Sequence, residues 1–212
     1  MKLSRALAVA GFPAFLGLSS QAQCTNQLDR FYFGLGAGGS LEQPLSINSS
    51  AFGNSGNVQI KPGIRGDIHL GWNVSRSFST ELQTGILWNS IDNIAGNTVS
   101  ADIYQVPVLA NVLYHPFHGA FQPFVGVGCG AAMTTFDSAN IPLMPVSYTA
   151  SDWTFAYQAQ LGFSYKVTSS FSVGLTYEFL GTSAHDWSSN GEPLKTSGTL
   201  SHSIVAAFVW EF

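Results

Sequence analysis

The segment Ser201-His202-Ser203-Ile204-Val205-Ala206-Ala207-Phe208-Val209-Trp210-Glu211-Phe212 limits the fold more than any other part of the chain. Successive side chains of a strand point to opposite faces, so Ile204, Ala206, Phe208, Trp210 and Phe212 share one apolar surface. Ser203, Val205, Ala207, Val209 and Glu211 share the other. The same period of two recurs upstream. Ile64, Ile68, Leu70 and Trp72 oppose Arg65, Asp67, His69 and Asn73. Trp153, Phe155, Tyr157, Leu161, Phe163 and Tyr165 oppose Thr154, Gln158, Gln160, Ser164 and Lys166. Phe171, Val173, Leu175, Tyr177 and Phe179 oppose Ser172, Thr176 and Glu178. One such segment is a weak signal, but its repetition along the chain predicts a closed antiparallel sheet.

Eight strands are predicted, at roughly 31–41, 58–74, 78–90, 101–114, 121–134, 152–166, 171–181 and 200–212. Their connections alternate in length. Ser75-Arg76-Ser77, the segment from His115 to Ala120 and the segment from Val167 to Ser170 are short. The stretches 42–57, 91–100, 135–151 and 182–199 are long and rich in Ser, Asn, Gly and Thr. The expected fold class is all-β: an eight-stranded antiparallel up-and-down transmembrane β-barrel with short turns at one end and long loops at the other.

Composition supports one face in lipid. Charged residues make up 9% of the chain, against about a quarter in typical soluble domains. Yet no continuous apolar stretch downstream of residue 22 approaches the ~20 residues of a membrane helix. At the start, Met1-Lys2-Leu3-Ser4-Arg5 precedes an apolar run from Ala6 to Leu18 and then Ser19-Ser20-Gln21-Ala22. A basic start, a short apolar stretch and a small-residue exit predict a signal peptide over 1–22, leaving 23–212 as the barrel domain. Cys24 follows Gln23 rather than the small residue of a lipidation site. Of eight basic residues, Lys2 and Arg5 leave with the signal peptide, and the remainder face twelve acidic ones. That balance argues against nucleic acid as a partner. A Cys24–Cys129 disulfide suits an oxidising compartment, while Cys129 reads more simply as a small apolar wall residue.

A soluble barrel would put the apolar face inside. Volume argues otherwise, because eight strands leave an interior just wide enough for their own side chains. Large aromatics fill one face, while Gly34, Gly36, Gly38, Gly71, Gly85, Gly126, Gly128, Gly130, Gly162 and Gly174 share the other. Phe31, Trp72, Phe78, Tyr114, Phe121, Tyr165, Phe171 and Trp210 mark the turn end of each strand, and Trp88, Tyr104 and Trp153 mark the loop end. Such rings favour membrane interfaces. The ten residues from Tyr104 to Tyr114 give about 34 Å of strand, or about 26 Å along the axis at ~40° tilt, close to the ~25 Å apolar band of membrane barrels.

Gln105-Val106-Pro107-Val108-Leu109, Gln122-Pro123-Phe124-Val125-Gly126-Val127-Gly128 and the strand from Phe171 to Phe179 with Tyr177-Glu178 resemble the small outer-membrane β-barrel family. That family includes the barrel of outer membrane protein A, surface antigens and porin-like proteins. The alternating Phe208, Trp210 and Phe212 resemble the signal that the family's barrel-assembly machinery reads. The resemblance covers essentially the whole mature chain and is fold-level. It implies an eight-stranded monomer in the bacterial outer membrane of a Gram-negative cell. The partners expected of such a barrel are outer-membrane lipids and lipopolysaccharide, with a host or matrix ligand at the external loops. Members serve in adhesion, envelope integrity or complement evasion, so no single activity is implied. No peptidoglycan-binding domain follows Phe212, and cell-wall anchoring is not expected.

The inward face collects Arg65, Asp67, His69, Glu81, Gln83, Gln105, Asn111, Gln158, Gln160, Lys166, Glu178 and Glu211. If Trp72 pairs with Phe78, His69 sits opposite Glu81 and Asp67 opposite Gln83; similar counting sets Gln158 against Glu178. Buried charges need partners, so Arg65, Asp67, His69, Glu81, Gln83, Gln158, Lys166 and Glu178 are expected to form a polar network filling the lumen. The expected function is structural or surface display, in envelope integrity or adhesion. A narrow porin-like channel and a lipid A-modifying enzyme are the alternatives. The enzyme reading rests on Ser201-His202-Ser203, where His202 faces lipid. Its neighbouring strand offers Tyr177 and Phe179 but no carboxylate. His185-Asp186-Trp187-Ser188-Ser189-Asn190 holds suitable residue types on an external loop. No catalytic, metal or cofactor site is expected. The acidic loop residues Glu42, Asp92, Asp137, Asp186 and Glu192 lack calcium-loop spacing, and the glycines from Gly34 to Gly39 precede no helix.

Overall fold

Twelve strands appear in the computed structural model, which describes residues 31–48, 56–94, 97–140, 148–189 and 192–212. The segment 1–22 and Cys24 lie outside the described residues. In chain order the strands are β1 (Phe31–Glu42), β2 (Leu45–Asn48), β3 (Gly56–Ile60), β4 (Gly63–Asn73), β5 (Phe78–Ile94), β6 (Asn97–Tyr114), β7 (Phe121–Asn140), β8 (Tyr148–Lys166), β9 (Phe171–Thr182), β10 (His185–Ser189), β11 (Glu192–Thr196) and β12 (Leu200–Glu211). Eight of them close a barrel in the order β1-β4-β5-β6-β7-β8-β9-β12, with β12 pairing back to β1. Every pairing is antiparallel.

Side-chain size sorts the two faces. Ile64, Ile68, Leu70, Trp72, Leu82, Trp88, Trp153, Phe155, Leu161 and Phe208 are exposed on the outer wall, while Arg65, Asp67, Gln83, Gln105 and Gln158 are buried in the lumen. Cys129 is exposed on that outer wall. Rings pair around both rims: Phe31 stacks on Trp72 at 6.0 Å, and Trp88 on Tyr104 at 6.0 Å. Inside, small residues make room for large ones. A methyl group on Gly71 would fall within the ring of Tyr32, its cross-strand partner.

The long connections depart from the expected irregular loops. β5, β6, β7 and β8 run well past the upper ring of Trp88, Tyr104 and Trp153. Within 42–57 and 182–199 lie β2, β10 and β11, and β11 pairs with β2 through Lys195 and Asn48. Polar composition suggested loops here, but Ile91, Ile94, Thr98, Val99, Ile103, Thr134 and Thr135 carry the β-branched preference for extended backbone. The predicted strand 58–74 divides into β3 and β4 at Lys61-Pro62, because proline has no N–H for the ladder.

Two registers also differ by two residues from expectation. Trp72 pairs with Thr80, so His69 opposes Gln83 and Asp67 opposes Gly85. Ser75 Oγ accepts the N–H groups of Ser77 and Phe78, and Ser75 N–H donates to the Phe78 carbonyl at 3.0 Å, tightening the turn. On the other side, Gln160 rather than Gln158 opposes Glu178. There Val167 N–H donates to the Phe171 carbonyl at 2.9 Å and sets the ladder. A shift of two keeps every side chain on its face, so the lumen contents survive both changes.

Candidate functional site

The lumen holds charged and polar side chains in two layers with an apolar collar between them. Arg65 and Asp67, two apart on β4, both point inward, and the Arg65 Nε donates to the Asp67 carboxylate at 2.9 and 3.0 Å. Arg65 Nη2 crosses the lumen to Glu178 on β9 and reaches Gln158 Oε1 at 3.4 Å. Gln83 Nε2 donates to Glu178 Oε2 at 3.1 Å. The carbonyl of the same Gln83 accepts from Gln158 at 2.7 Å, Asn111 at 3.0 Å and Gln160 at 3.1 Å. Towards the turn end, Glu81 meets His69 Nδ1 at 3.3 Å and accepts from Tyr32 Oη at 3.1 Å. Asn111 Nδ2 also donates to Glu81 Oε1 at 3.3 Å, so Arg65, Asp67, His69, Glu81, Gln83, Gln158 and Glu178 belong to one connected cluster. Lys166 stands apart at the turn-end rim, paired with Glu211 at 2.6 Å.

Below the cluster, towards the turns, a cavity of about 500 Å3 opens between Tyr32, His69, Glu81, His115, Lys166 and Glu211. Above it the lumen turns apolar. Leu87, Leu109, Ala132, Ala156 and Leu180 are buried against one another. Four strands repeat one inward order from turn end to loop end: Gln83–Leu87–Asn89 on β5, Asn111–Leu109–Gln105 on β6, Gln158–Ala156–Asp152 on β8, and Glu178–Leu180–Thr182 on β9.

The second polar layer lies above the collar. Glu42, expected as a loop charge, is the last residue of β1 and faces inward. Its carboxylate accepts from Gln105 Nε2 at 2.9 Å and Asn89 Nδ2 at 3.2 Å. Gln105 also donates to Thr199 Oγ1 at 2.7 Å, which meets Thr182 Oγ1 at 2.8 Å, which meets His185 Nε2 at 3.1 Å. His185 Nδ1 lies 3.8 Å from Asp152. The chain of contacts crosses the barrel from β1 to β8. His185 begins β10 rather than a loop, and Tyr32, hidden between Phe31 and Phe33, is the lumen residue most easily missed in the sequence.

Burial holds the His185 imidazole below its ordinary value, with the Asp152 carboxylate pulling the other way. A depressed imidazole favours the neutral ring in the folded state, so the unfolded state binds the extra proton and stability rises with pH. Acidification from pH 7 through and below about 6.5 will therefore loosen the hairpin formed by β10 and β11. Protease cleavage between 183 and 197 will speed up at pH 5.5 in the native chain and lose that pH dependence in His185→Asn.

His202, the lipid-facing histidine, has both ring nitrogens engaged. Tyr177 Oη lies 2.7 Å from Nδ1 and Gln43 Nε2 lies 3.0 Å from Nε2. Ser201 and Ser203 are buried on the lumen face, turned away from it. Among the described residues no group of three or more His, Cys, Asp or Glu side chains could hold a metal ion. On β12, Trp210 and Phe208 flank Phe171 at centroid distances of 5.3 and 6.4 Å, and Phe212 N–H donates to the Phe31 carbonyl at 2.9 Å.

The family model described as outer membrane protein beta-barrel domain matches residues 10–212. No curated protein sequence matches the chain. Among solved structures, the outer membrane protein OprG from Pseudomonas aeruginosa is similar at a TM-score of 0.61 and 16% identity, covering 86% of this chain and 97% of that one. Neisserial surface protein A is similar at 0.55 and 14%, covering 86% and 97%. The outer membrane protease OmpT from Escherichia coli is similar at 0.55 and 8%, covering 87% and 97%. At these identities the likeness is one of fold alone.

Proposed function

The chain belongs to the outer membrane protein beta-barrel family and resides in the bacterial outer membrane, and from that premise we propose that it is a non-conducting, non-enzymatic barrel that displays its long loops outside the cell. One observation carries the reading: the lumen is crossed by an ion-paired polar cluster and, above it, by the collar of Leu87, Leu109, Ala132, Ala156 and Leu180. A water-filled path would have to break both. On the periplasmic side, the cavity of about 500 Å3 is bounded by His69, Glu81 and Glu178 of that cluster.

Work that a sealed barrel performs falls to its outer surface. β2, β3, β10 and β11 join the tops of the barrel strands into one sheet beyond the upper aromatic ring. That sheet supports a role in envelope integrity or adhesion, with lipopolysaccharide, matrix or host molecules as partners. Against an enzymatic role, the His202 ring is bonded to Tyr177 and Gln43 rather than oriented by a carboxylate towards a hydroxyl.

Reconstituted in planar bilayers, the wild-type protein will add no unitary conductance steps. Steps that change in size with Arg65→Ala or Glu81→Ala would establish a narrow channel through the lumen and overturn the sealed barrel.

A further inference from the structure

The upper polar layer contains a carboxylate, that of Glu42, with no cationic partner among the described residues. Among the described residues, the ion pairs join Arg65, His69, Lys166 and His185 to other carboxylates, and none reaches Glu42. Burying an ionised carboxylate on amide donors alone is unfavourable. Two buried oxygens near Glu42 lack hydrogen-bond partners among the described residues. Ser201 is the direct cross-strand partner of Glu42; it is fully buried, and its Oγ has no hydrogen-bond partner. Gln105 is 1% exposed. Its amide nitrogen is committed to Glu42 and Thr199, which leaves the Oε1 of the same amide buried and unpartnered. Asn89 is already oriented, with Nδ2 on Glu42 and Oδ1 accepting from Ser40 at 2.7 Å. Glu42 itself keeps partial exposure at the loop end. Leu109 and Leu180 lie beneath and stop passage further in.

We propose that this cup binds one small, singly charged cation from the external medium, an alkali metal ion or a primary ammonium group, through the Glu42 carboxylate, Gln105 Oε1 and Ser201 Oγ. Three oxygen ligands, one of them a carboxylate, match one positive charge. Divalent calcium sites use several carboxylates, and the cup supplies one. The collar makes the site a dead end, so the bound ion closes the mouth of the barrel rather than passing through it.

The test is thermal melting of the full chain in detergent micelles, read by loss of the fast-migrating form on unboiled gels. Chloride salts of sodium, methylammonium and the bulky N-methylglucamine are compared at equal ionic strength. Sodium or methylammonium will raise the midpoint by about 3–5 °C over N-methylglucamine, saturating in the millimolar range, and which of the two does so identifies the source of the charge. In Glu42→Gln the difference will vanish. Should that variant fail to fold, Ser201→Ala will keep the effect but require about fivefold more cation, the worth of one neutral ligand. Equal midpoints in all three salts, an undiminished effect in Glu42→Gln or an unshifted saturation in Ser201→Ala would overturn the site. Calcium saturating at micromolar concentration would overturn its single-charge character.

Discussion

Replacing Arg65 by alanine will destabilise the barrel by about 3–5 kcal/mol. Arg65 is 2% exposed and is the cation shared by Asp67 and Glu178. Without it two carboxylates stay buried in the lumen, with amide donors from Gln83 and Gln158 on Glu178 as the remaining compensation. The large cost measures the stranded charges rather than the net worth of the pairing. A companion variant separates the two. Arg65→Met, Asp67→Leu and Glu178→Met together remove all three charges at similar volume and will lie within about 1–2 kcal/mol of wild type, since apolar replacement of a whole buried cluster is often neutral. Urea unfolding in micelles checks both. A single substitution costing less than the triple one would mean that water already reaches this layer and that the lumen is wet.

Which residues enter the lumen was legible in the sequence because period two is a local property. Alternation along β4, β8, β9 and β12 assigns Arg65, Gln158, Glu178 and Glu211 to one face with no knowledge of neighbours. Which of those residues touch was not legible. Register depends on turns, and a serine hydroxyl capping two N–H groups moved the pairing of β4 with β5 by two residues. Contacts across the lumen are further removed still. Arg65 and Glu178 sit on β4 and β9, which are not neighbours in the sheet, and they meet only because the closed barrel brings opposite walls together.

The upper layer was hidden for a different reason. Glu42 stands where alternation gives way to Gln43-Pro44 and looks like the first charge of a loop. Its inward direction follows from β1 continuing two residues beyond Ser40 in the same phase. Likewise the apolar collar reads, strand by strand, as isolated leucines and alanines on a polar face. Aligned in space, those exceptions form one layer. Departures from a binary pattern here mark the level at which the lumen changes character.

Phe212→Ala will lower the amount of protein in the outer membrane several-fold while leaving the folded barrel almost as stable. The ring does little in the finished structure. Phe212 is 75% exposed, and its main chain donates a hydrogen bond to the Phe31 carbonyl, which alanine retains. Trp210 and Phe208, by contrast, pack on Phe171 and help to hold β12 against β9. If Phe208, Trp210 and Phe212 act together as the signal for the assembly machinery, the loss in Phe212→Ala belongs to delivery and not to folding. Two measurements divide those possibilities: the yield of the heat-modifiable form in outer-membrane fractions, and the yield after refolding the purified chain from urea into micelles. A drop in the first with an unchanged second supports a recognition role. Equal losses in both would reassign Phe212 to the stability of the β1–β12 seam, and unchanged membrane levels would remove it from assembly altogether.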